Sequence, residues 1–410
     1  MKKHPQLEII LINVTGVDHP GVTSALTEIL GRHHATILDI GQSTIHHYLS
    51  LSLLIKTDSA ISGEILKELL YKASDLGLNI RFTPTEPDDY EQWVTMQGRG
   101  RWIITMLGRR LTADHIAKLT AEVAAQGLNI ENIKRLTGRV SLNPDSDAGH
   151  RAKTCIELAV RGTPADRANL SRRFLEIASA NDVDISFQED NVFRRTRRLI
   201  CFDMDSTLIE TEVIDELAMR AGVGSQVKAI TESAMRGEID FTESFTRRVA
   251  LLRGLDVSVM KEIAENLPIT EGMERLMTVL KRAGYKTAIL SGGFTYFGNY
   301  LKQRFGFDYV YANELEVDDT GHLTGRHLGD IVDGRRKAEL LRLLAQVEHV
   351  DIAQTIAVGD GANDLPMLAT AGLGIAFHAK PKVKQTAEQS LSTIGLDGVL
   401  YFLGFKDSFT

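Results

Sequence analysis

The run RRLICFDMDSTLIETE, residues 197–212, carries an apolar stretch, Leu199 to Phe202, directly into a cluster of negative charge. A short apolar run without alternation is the pattern of a strand buried on both faces. Asp203 and Asp205 follow one residue apart, and i, i+2 spacing can aim both side chains the same way. In an open α/β sheet, ligands bind outside the carboxyl ends of the strands. The stretch therefore predicts a strand that delivers two carboxylates to a crevice.

The rest of the second half supports such a sheet. KTAILSGG (286–293), YVYAN (309–313), QTIAVGD (354–360) and LGIAF (373–377) are apolar, β-rich runs separated by helical segments. That alternation predicts an α/β fold with a doubly wound, mostly parallel, Rossmann-like sheet over residues 195–405. More than eighty residues separate the first two runs, and they read as helical throughout. This is too long for a simple crossover and predicts an inserted helical cap over about 212–270. ELEVDDTGHLTGRHLG (314–329) predicts a hairpin turning at Asp319-Thr320-Gly321.

Two further strand ends carry chemistry: Ser291-Gly292-Gly293, and Asp360-Gly361-Ala362-Asn363-Asp364. If these ends meet the first, four carboxylates share one crevice, and like charges that close resist ionising together. A hard cation with oxygen ligands relieves the conflict, and Mg²⁺ suits a few carboxylates plus a substrate phosphate. Phosphate-monoester hydrolysis needs accelerations of up to about 10²¹, so the site needs several groups acting together. Asp203 is the candidate nucleophile, and Asp205 the candidate general acid and base. Asp203, Asp205 and Asp360 are the expected metal ligands, with Asp364 in support. Ser291, the Gly292 N–H and Lys337 would hold the phosphoryl oxygens. Each feature alone has an ordinary explanation: a turn, a helix cap, a surface lysine. All four in order, three of them ending strand-like runs, do not.

With these motifs in place, the second half resembles the haloacid dehalogenase superfamily of phosphatases, with DMDST, SGG, Lys337 and GDGAND as its four motifs. FDMDSTLIETEVIDELA and MRGEIDFTESFTRRVALLRGL are similar to the first motif and cap of the phosphoserine phosphatase family. The resemblance implies hydrolysis of O-phospho-L-serine to L-serine and phosphate through an aspartyl-phosphate, the last step of serine biosynthesis. It implies that Glu212 reads the ammonium, Arg248 the carboxylate and Asn363 the phosphate, and that Met235 and Phe241 help to close the cap. The residues alone leave Arg247 and Arg248 as equal candidates. Two other functions stay open at this point: a phosphatase for another small phosphomonoester, and a non-catalytic amino-acid sensor on the same fold.

The first half reads as a repeat with a period near ninety residues. LEIILINVT (7–15) opens one βαββαβ pattern and RWIITMLG (101–108) a second. The predicted α+β modules cover 1–88 and 99–190, with TEPDDYEQWVTMQGRG as a linker and LNPDSDAG (142–149) as a loop. Both resemble ACT domains. In the first, Asp18, Pro20 and Gly21 form a strand-to-helix turn like the ligand loop of amino-acid-binding members, which implies L-serine as an effector. The second has LGRRLTADH there and lacks the turn, so its expected role is packing or dimerisation. The resemblance implies a homodimer through the ACT modules.

A formal net charge of −7 argues against a general nucleic-acid or anionic-membrane binder. Cys155 and Cys201 are the only cysteines and lie in apolar surroundings, which predicts buried free thiols and a reducing cytoplasm. MKKHPQLEIILINV lacks the pattern of an export signal, and no run approaches the ~20 apolar residues of a membrane span. Arg194, Arg195, Arg197 and Arg198 are expected to be an interdomain linker with a solvated face.

Overall fold

The computed structural model describes residues 7–96, 100–139, 152–387 and 389–409. The predicted loop at 142–149 lies outside them. The chain forms two compact units, residues 1–99 and 100–410. No described helix is long and apolar enough to cross a membrane.

The first unit is the predicted βαββαβ module. Its strands are β1 (Leu7–Val17), β2 (Thr36–Ile45), β3 (Tyr48–Asp58) and β4 (Asn79–Thr85), in the antiparallel order β2-β3-β1-β4. Alternate residues Ile10, Ile12 and Val14 face a core completed by helices Val22–Arg32 and Ser59–Asp75. The expected linker contains a helix, Pro87–Thr95. Pro87 occupies its first turn, and Asp88 and Asp89 complement the helix dipole there, so the polar residues start a helix instead of a loop.

The second unit begins with the same topology. Strands β5 (Arg101–Gly108), β6 (Asn129–Arg135), β7 (Thr154–Arg161) and β8 (Asp184–Glu189) lie in the order β6-β7-β5-β8. A seven-stranded sheet follows: β9 (Leu199–Phe202), β10 (Lys286–Phe294), β11 (Tyr309–Val317), β12 (Leu323–Leu328), β13 (Thr355–Gly359), β14 (Leu373–Phe377) and β15 (Gln389–Leu391). Its order is β12-β11-β10-β9-β13-β14-β15, parallel except for the β11–β12 hairpin. The opening stretch is thus the central strand, with all of Leu199 to Phe202 fully buried. The winding reverses between β10 and β13 on either side of β9, which opens a crevice at the strand ends. Helices Val213–Arg220, Gly224–Met235, Phe241–Ala250 and Ser258–Glu265 form the predicted insertion between β9 and β10.

The second βαββαβ module is knitted to the large sheet by buried polar contacts. The Gln389 side-chain amide imitates a strand partner: its Oε1 accepts from Phe187 N and its Nε2 donates to Phe187 O, both at 3.0 Å. Asp184, 3% exposed, accepts from Ser392 N (2.8 Å), Thr393 N (2.9 Å) and Thr393 Oγ1 (2.6 Å). Lys153 and Arg275 converge on buried Asp397. Two of the four arginines belong to this joint, contrary to the expectation of a solvated face, while Arg195 and Arg198 are exposed as expected. Arg194 and Arg197 are 7% and 5% exposed, and they bond Glu157 and Gln188 of the module.

Replacing Asp184 by alanine strands buried donors at Ser392 and Thr393. The expected cost is about 2–3 kcal/mol, read as a lower urea midpoint at unchanged m-value. An unchanged midpoint would show that the joint contributes nothing through this carboxylate.

Candidate active site

Three strand ends of the central sheet, β9, β10 and β13, meet in one crevice, and the helix Gly334–Val347 adds Lys337. Asp203 leaves β9 with its N–H donating to Val358 O of β13 at 2.9 Å, so the two strands stay paired up to the point where the carboxylates begin. Asp203 Oδ1 accepts from Met204 N at 2.7 Å and from Lys337 Nζ at 2.8 Å. The same ammonium donates to Asp364 Oδ1 at 2.7 Å. Lys337, which base rates would leave on the surface, is 0% exposed. Burial alone would lower its pKa, but the Asp203 and Asp364 charges hold it above the usual lysine range.

Carboxylate oxygens of Asp203, Asp360 and Asp364 lie within 4.8 Å of one another. This is a hard, all-oxygen donor set of the kind that suits a divalent cation. The expected metal set contained Asp205 with Asp364 in support; the side chains cluster with Asp364 in place of Asp205. Asp205 Oδ1 accepts from Val213 N at 3.2 Å, at the start of the first cap helix. Three carboxylates facing one ammonium leave excess negative charge in a buried site. Burial first, then Asp364, push Asp203 up to about 8. Burial, then Asp364 and Glu212, push Asp360 up to about 7. Asp205 is raised well above the carboxylate range by burial, then by Glu212 and Asp203.

Ser291 is fully buried in β10, and its Oγ accepts from Gly293 N at 2.9 Å. Gly293 is required by closeness: a Cβ there would stand 2.6 Å from Asp205 Oδ2. Asn363 lies half-buried in the short 3₁₀ turn Ala362–Asp364 that follows β13. Sequence reasoning missed Asn313, 2% exposed in the middle of β11, level with the end of β10. Its Nδ2 donates to Gly292 O and its Oδ1 accepts from Val332 N, both at 2.8 Å, which fixes the SGG turn. The available signal was a polar residue ending the apolar run YVYAN at the same sheet edge.

The cap supplies the roof. Phe241 reaches over the SGG turn, and a Cβ on Gly292 would meet Phe241 Cζ at 3.0 Å. Phe241 stacks on Phe245, which packs on Phe294 at the end of β10. The structure separates the two arginines that the residues alone did not. Arg247 is exposed and pairs with Glu243 along its own helix. Arg248 is half-buried, and it feels Glu212, Asp215 and Asp205. Burial lowers its pKa, and those three carboxylates oppose the shift. Glu212 Oε1 accepts from Ser206 Oγ at 2.9 Å, and Ser206 holds a left-handed φ of 55° to turn the chain back. Met235 is 65% exposed at the end of its helix. Asp18, Pro20 and Gly21 belong to the other unit. There Thr44 Oγ1 donates to Asp18 Oδ2 at 3.4 Å, and Gly21, at φ 95°, precedes the helix Val22–Arg32.

Lys337→Met removes the ammonium that buried Asp203 and Asp364 share. Breaking a buried pair from one side costs about 3–5 kcal/mol, so the variant should unfold at markedly lower denaturant in metal-free buffer. Equal stability would mean that the ammonium does not hold the site together.

Comparison with known proteins agrees with this geometry. Residues 200–369 match the haloacid dehalogenase-like hydrolase family, and residues 8–83 and 101–188 match two ACT domain families. Phosphoserine phosphatase SerB2 of Mycobacterium tuberculosis is 40% identical over 96% of this chain and 93% of its own length. The phosphoserine phosphatase of Streptomyces coelicolor is 38% identical over 96% and 92%. Among solved structures, a haloacid dehalogenase family hydrolase from Salmonella enterica serovar Typhi superposes with a TM-score of 0.62 at 31% identity, covering 73% of this chain and 98% of that one. A probable phosphoserine phosphatase from Vibrio cholerae gives 0.57 at 34% identity, covering 75% and 87%. With near full-length relatives at this identity, the chain belongs to the phosphoserine phosphatase family of haloacid dehalogenase-like hydrolases.

Proposed function

We propose that the chain hydrolyses O-phospho-L-serine to L-serine and phosphate, with Mg²⁺ as cofactor and Asp203 as nucleophile. The observation that carries this reading is the buried Lys337 ammonium between Asp203 and Asp364, beside a triad of carboxylates at the end of the central strand. Asp203 and Asp360 would hold the metal, with Asp364 beside them; the Asp205 side chain is engaged elsewhere, with Val213 N. Bound there, Mg²⁺ supplies positive charge that lets the carboxylates ionise together and draws the phosphate in.

The Met204 N–H and Lys337 orient the Asp203 carboxylate for attack on phosphorus. The bond from phosphorus to the serine oxygen breaks as the Asp203–phosphorus bond forms. Asp205, whose raised pKa keeps a proton available, gives that proton to the departing alkoxide and releases L-serine. It then takes a proton from a water that attacks phospho-Asp203 and frees phosphate. Ser291, the Gly292 N–H, Lys337 and Asn363 would surround the phosphoryl oxygens. Glu212 would receive the substrate ammonium and Arg248 its carboxylate, under Phe241. Met235 would join the site only on further closure of the cap.

In the first module, Asp18, Pro20 and Gly21 would form an L-serine effector site, so Asp18→Ala should weaken feedback by serine without changing basal turnover. Ile37, Ile40 and Ile45, exposed along the edge strand β2, support self-association there.

Phosphate release from O-phospho-L-serine tests the reading. Turnover should need Mg²⁺, disappear with EDTA, and fall at least about 10⁴-fold in Asp203→Asn. Glu212→Ala and Arg248→Ala should each lose about 10- to 100-fold in kcat/KM, and Arg247→Ala should lose nothing. Cleavage of a different phosphomonoester with the same Asp203 dependence would keep the chemistry and replace the substrate. No turnover on any ester would favour the sensor.

The pH dependence has a defined sign. Asp203 at about 8 and Asp360 at about 7 hold protons in the metal-free native state that the unfolded chain releases near pH ~4. Metal-free stability should therefore fall as pH rises from about 4 to 8. The rise in Tm on adding Mg²⁺ should be larger at pH 8 than at pH 5. Melts in EDTA that are flat across this range would contradict the shifts.

A further inference from the structure

Arg197 is a buried cation that no carboxylate neutralises among the described residues. It is 5% exposed. Nη1 donates to Gln188 Oε1 at 3.0 Å, and Nε has no partner. Arg194, three residues earlier, has its own carboxylate, Glu157, at 2.9 Å. No such carboxylate faces Arg197 among the described residues: the charges it feels are Arg194, of like sign, and Tyr285. Burial, then Arg194, push its guanidinium down to about 10. An unpaired buried charge is costly, and the usual remedies are a counter-ion or a well-formed ion pair.

Arg197 also lines a cavity of about 150 Å³ at the joint between β8 and the large sheet. Gln188, Gln389, Asn191 and Arg167 share the lining, and the one acidic residue there, Glu189, is exposed. The amides of Gln188 and Gln389 are already committed across the joint, to Phe402 O and to the Phe187 backbone. Asn191 Oδ1 caps Arg194 N, and the exposed Arg167 guanidinium lies over the Trp102 ring, 5.2 Å from its centroid. That leaves Arg197 as the cavity's buried, uncompensated charge, with Arg167 as a second cation on the rim. A cavity of this size holds a benzene-sized molecule. Phosphate or a short carboxylate fits, whereas drug-sized ligands need about 300 Å³ or more.

We propose that this cavity is a binding site for a small oxyanion, phosphate or carboxylate, held by Arg197 with Arg167 on its rim. An anion there neutralises the buried guanidinium and bridges β8 to the 3₁₀ turn at Ala353 and the start of β14 at Gly372–Leu373. Its binding therefore tightens the docking of the second ACT module on the catalytic sheet. The site is separate from the Asp203 crevice and does not depend on the identity of the substrate.

The test is calorimetric titration of the full chain with inorganic phosphate and, separately, with acetate, at ionic strength fixed with KCl. The expected result is an anion site, beyond any phosphate bound in the catalytic crevice, that Arg197→Met weakens at least about tenfold, while crevice binding and turnover persist. A loss confined to one anion names the ligand class. Identical isotherms in the variant and the parent overturn the proposal. Should Arg197→Met fail to fold, parent crystals soaked in selenate decide: an anomalous peak beside Arg197 supports the site. A filled catalytic crevice with no peak in the cavity overturns it.

Discussion

The structure of the site depends on one buried ammonium. Lys337 touches both Asp203, at the end of β9, and Asp364, in the turn after the neighbouring β13. Without a cation there, burial and mutual repulsion would drive these carboxylates apart or into their neutral forms. The fold invests several local devices in placing it. Asp333 caps the helix Gly334–Val347, so Lys337 lies in the first turn and points inward. Gly334 allows that helix to touch the turn after β13, where a Cβ would stand 2.4 Å from Asn363 O. Asp364 also accepts from Gly361 N at 2.9 Å, locking the turn that presents Asp360.

Much of this was legible because it is encoded locally. An apolar run that stops at a polar or glycine-rich turn marks both a buried strand and its functional end: β9 and β13 run into aspartates, and β10 into Ser291-Gly292-Gly293. The paired βαββαβ modules were legible through a repeated order of periodicities. Contacts made across long stretches of chain were not. Whether Arg247 or Arg248 turns inward depends on which face of the helix Phe241–Ala250 meets the core, and adjacent arginines give no local cue. Asp364 in place of Asp205 in the carboxylate cluster follows from the fold of a tight turn, which residue identity does not specify. Asn313 acts through Gly292 and Val332, both distant in sequence.

The joint was the least legible part. Its contacts come from Asp184, Gln188, Gln389 and Asp397, polar residues with no periodic pattern. The arginine run before β9 looked like a hydrated linker because its charge density is high. Two of its four arginines instead run into the joint with their charges buried. Long side chains can cover such a seam with apolar stems while their heads find partners, and composition does not reveal which heads are covered. The apparent border between repeat and enzyme is therefore a packed interior.

This joint has a consequence for how the chain reaches its native state. The partners of Phe187 and Asp184 are Gln389, Ser392 and Thr393, separated from them by 202 to 209 residues. During synthesis the second module emerges long before the residues that cover its outer edge, Gln389, Ser392 and Thr393. Until then β8 presents an unpaired edge and a carboxylate with no donors, a state open to pairing with the wrong strand. Contacts of such long range are slow to close, because loop entropy is lost before they form. The last stretch of the chain is thus a clasp: its arrival converts a finished module and an unfinished sheet into one cooperative body.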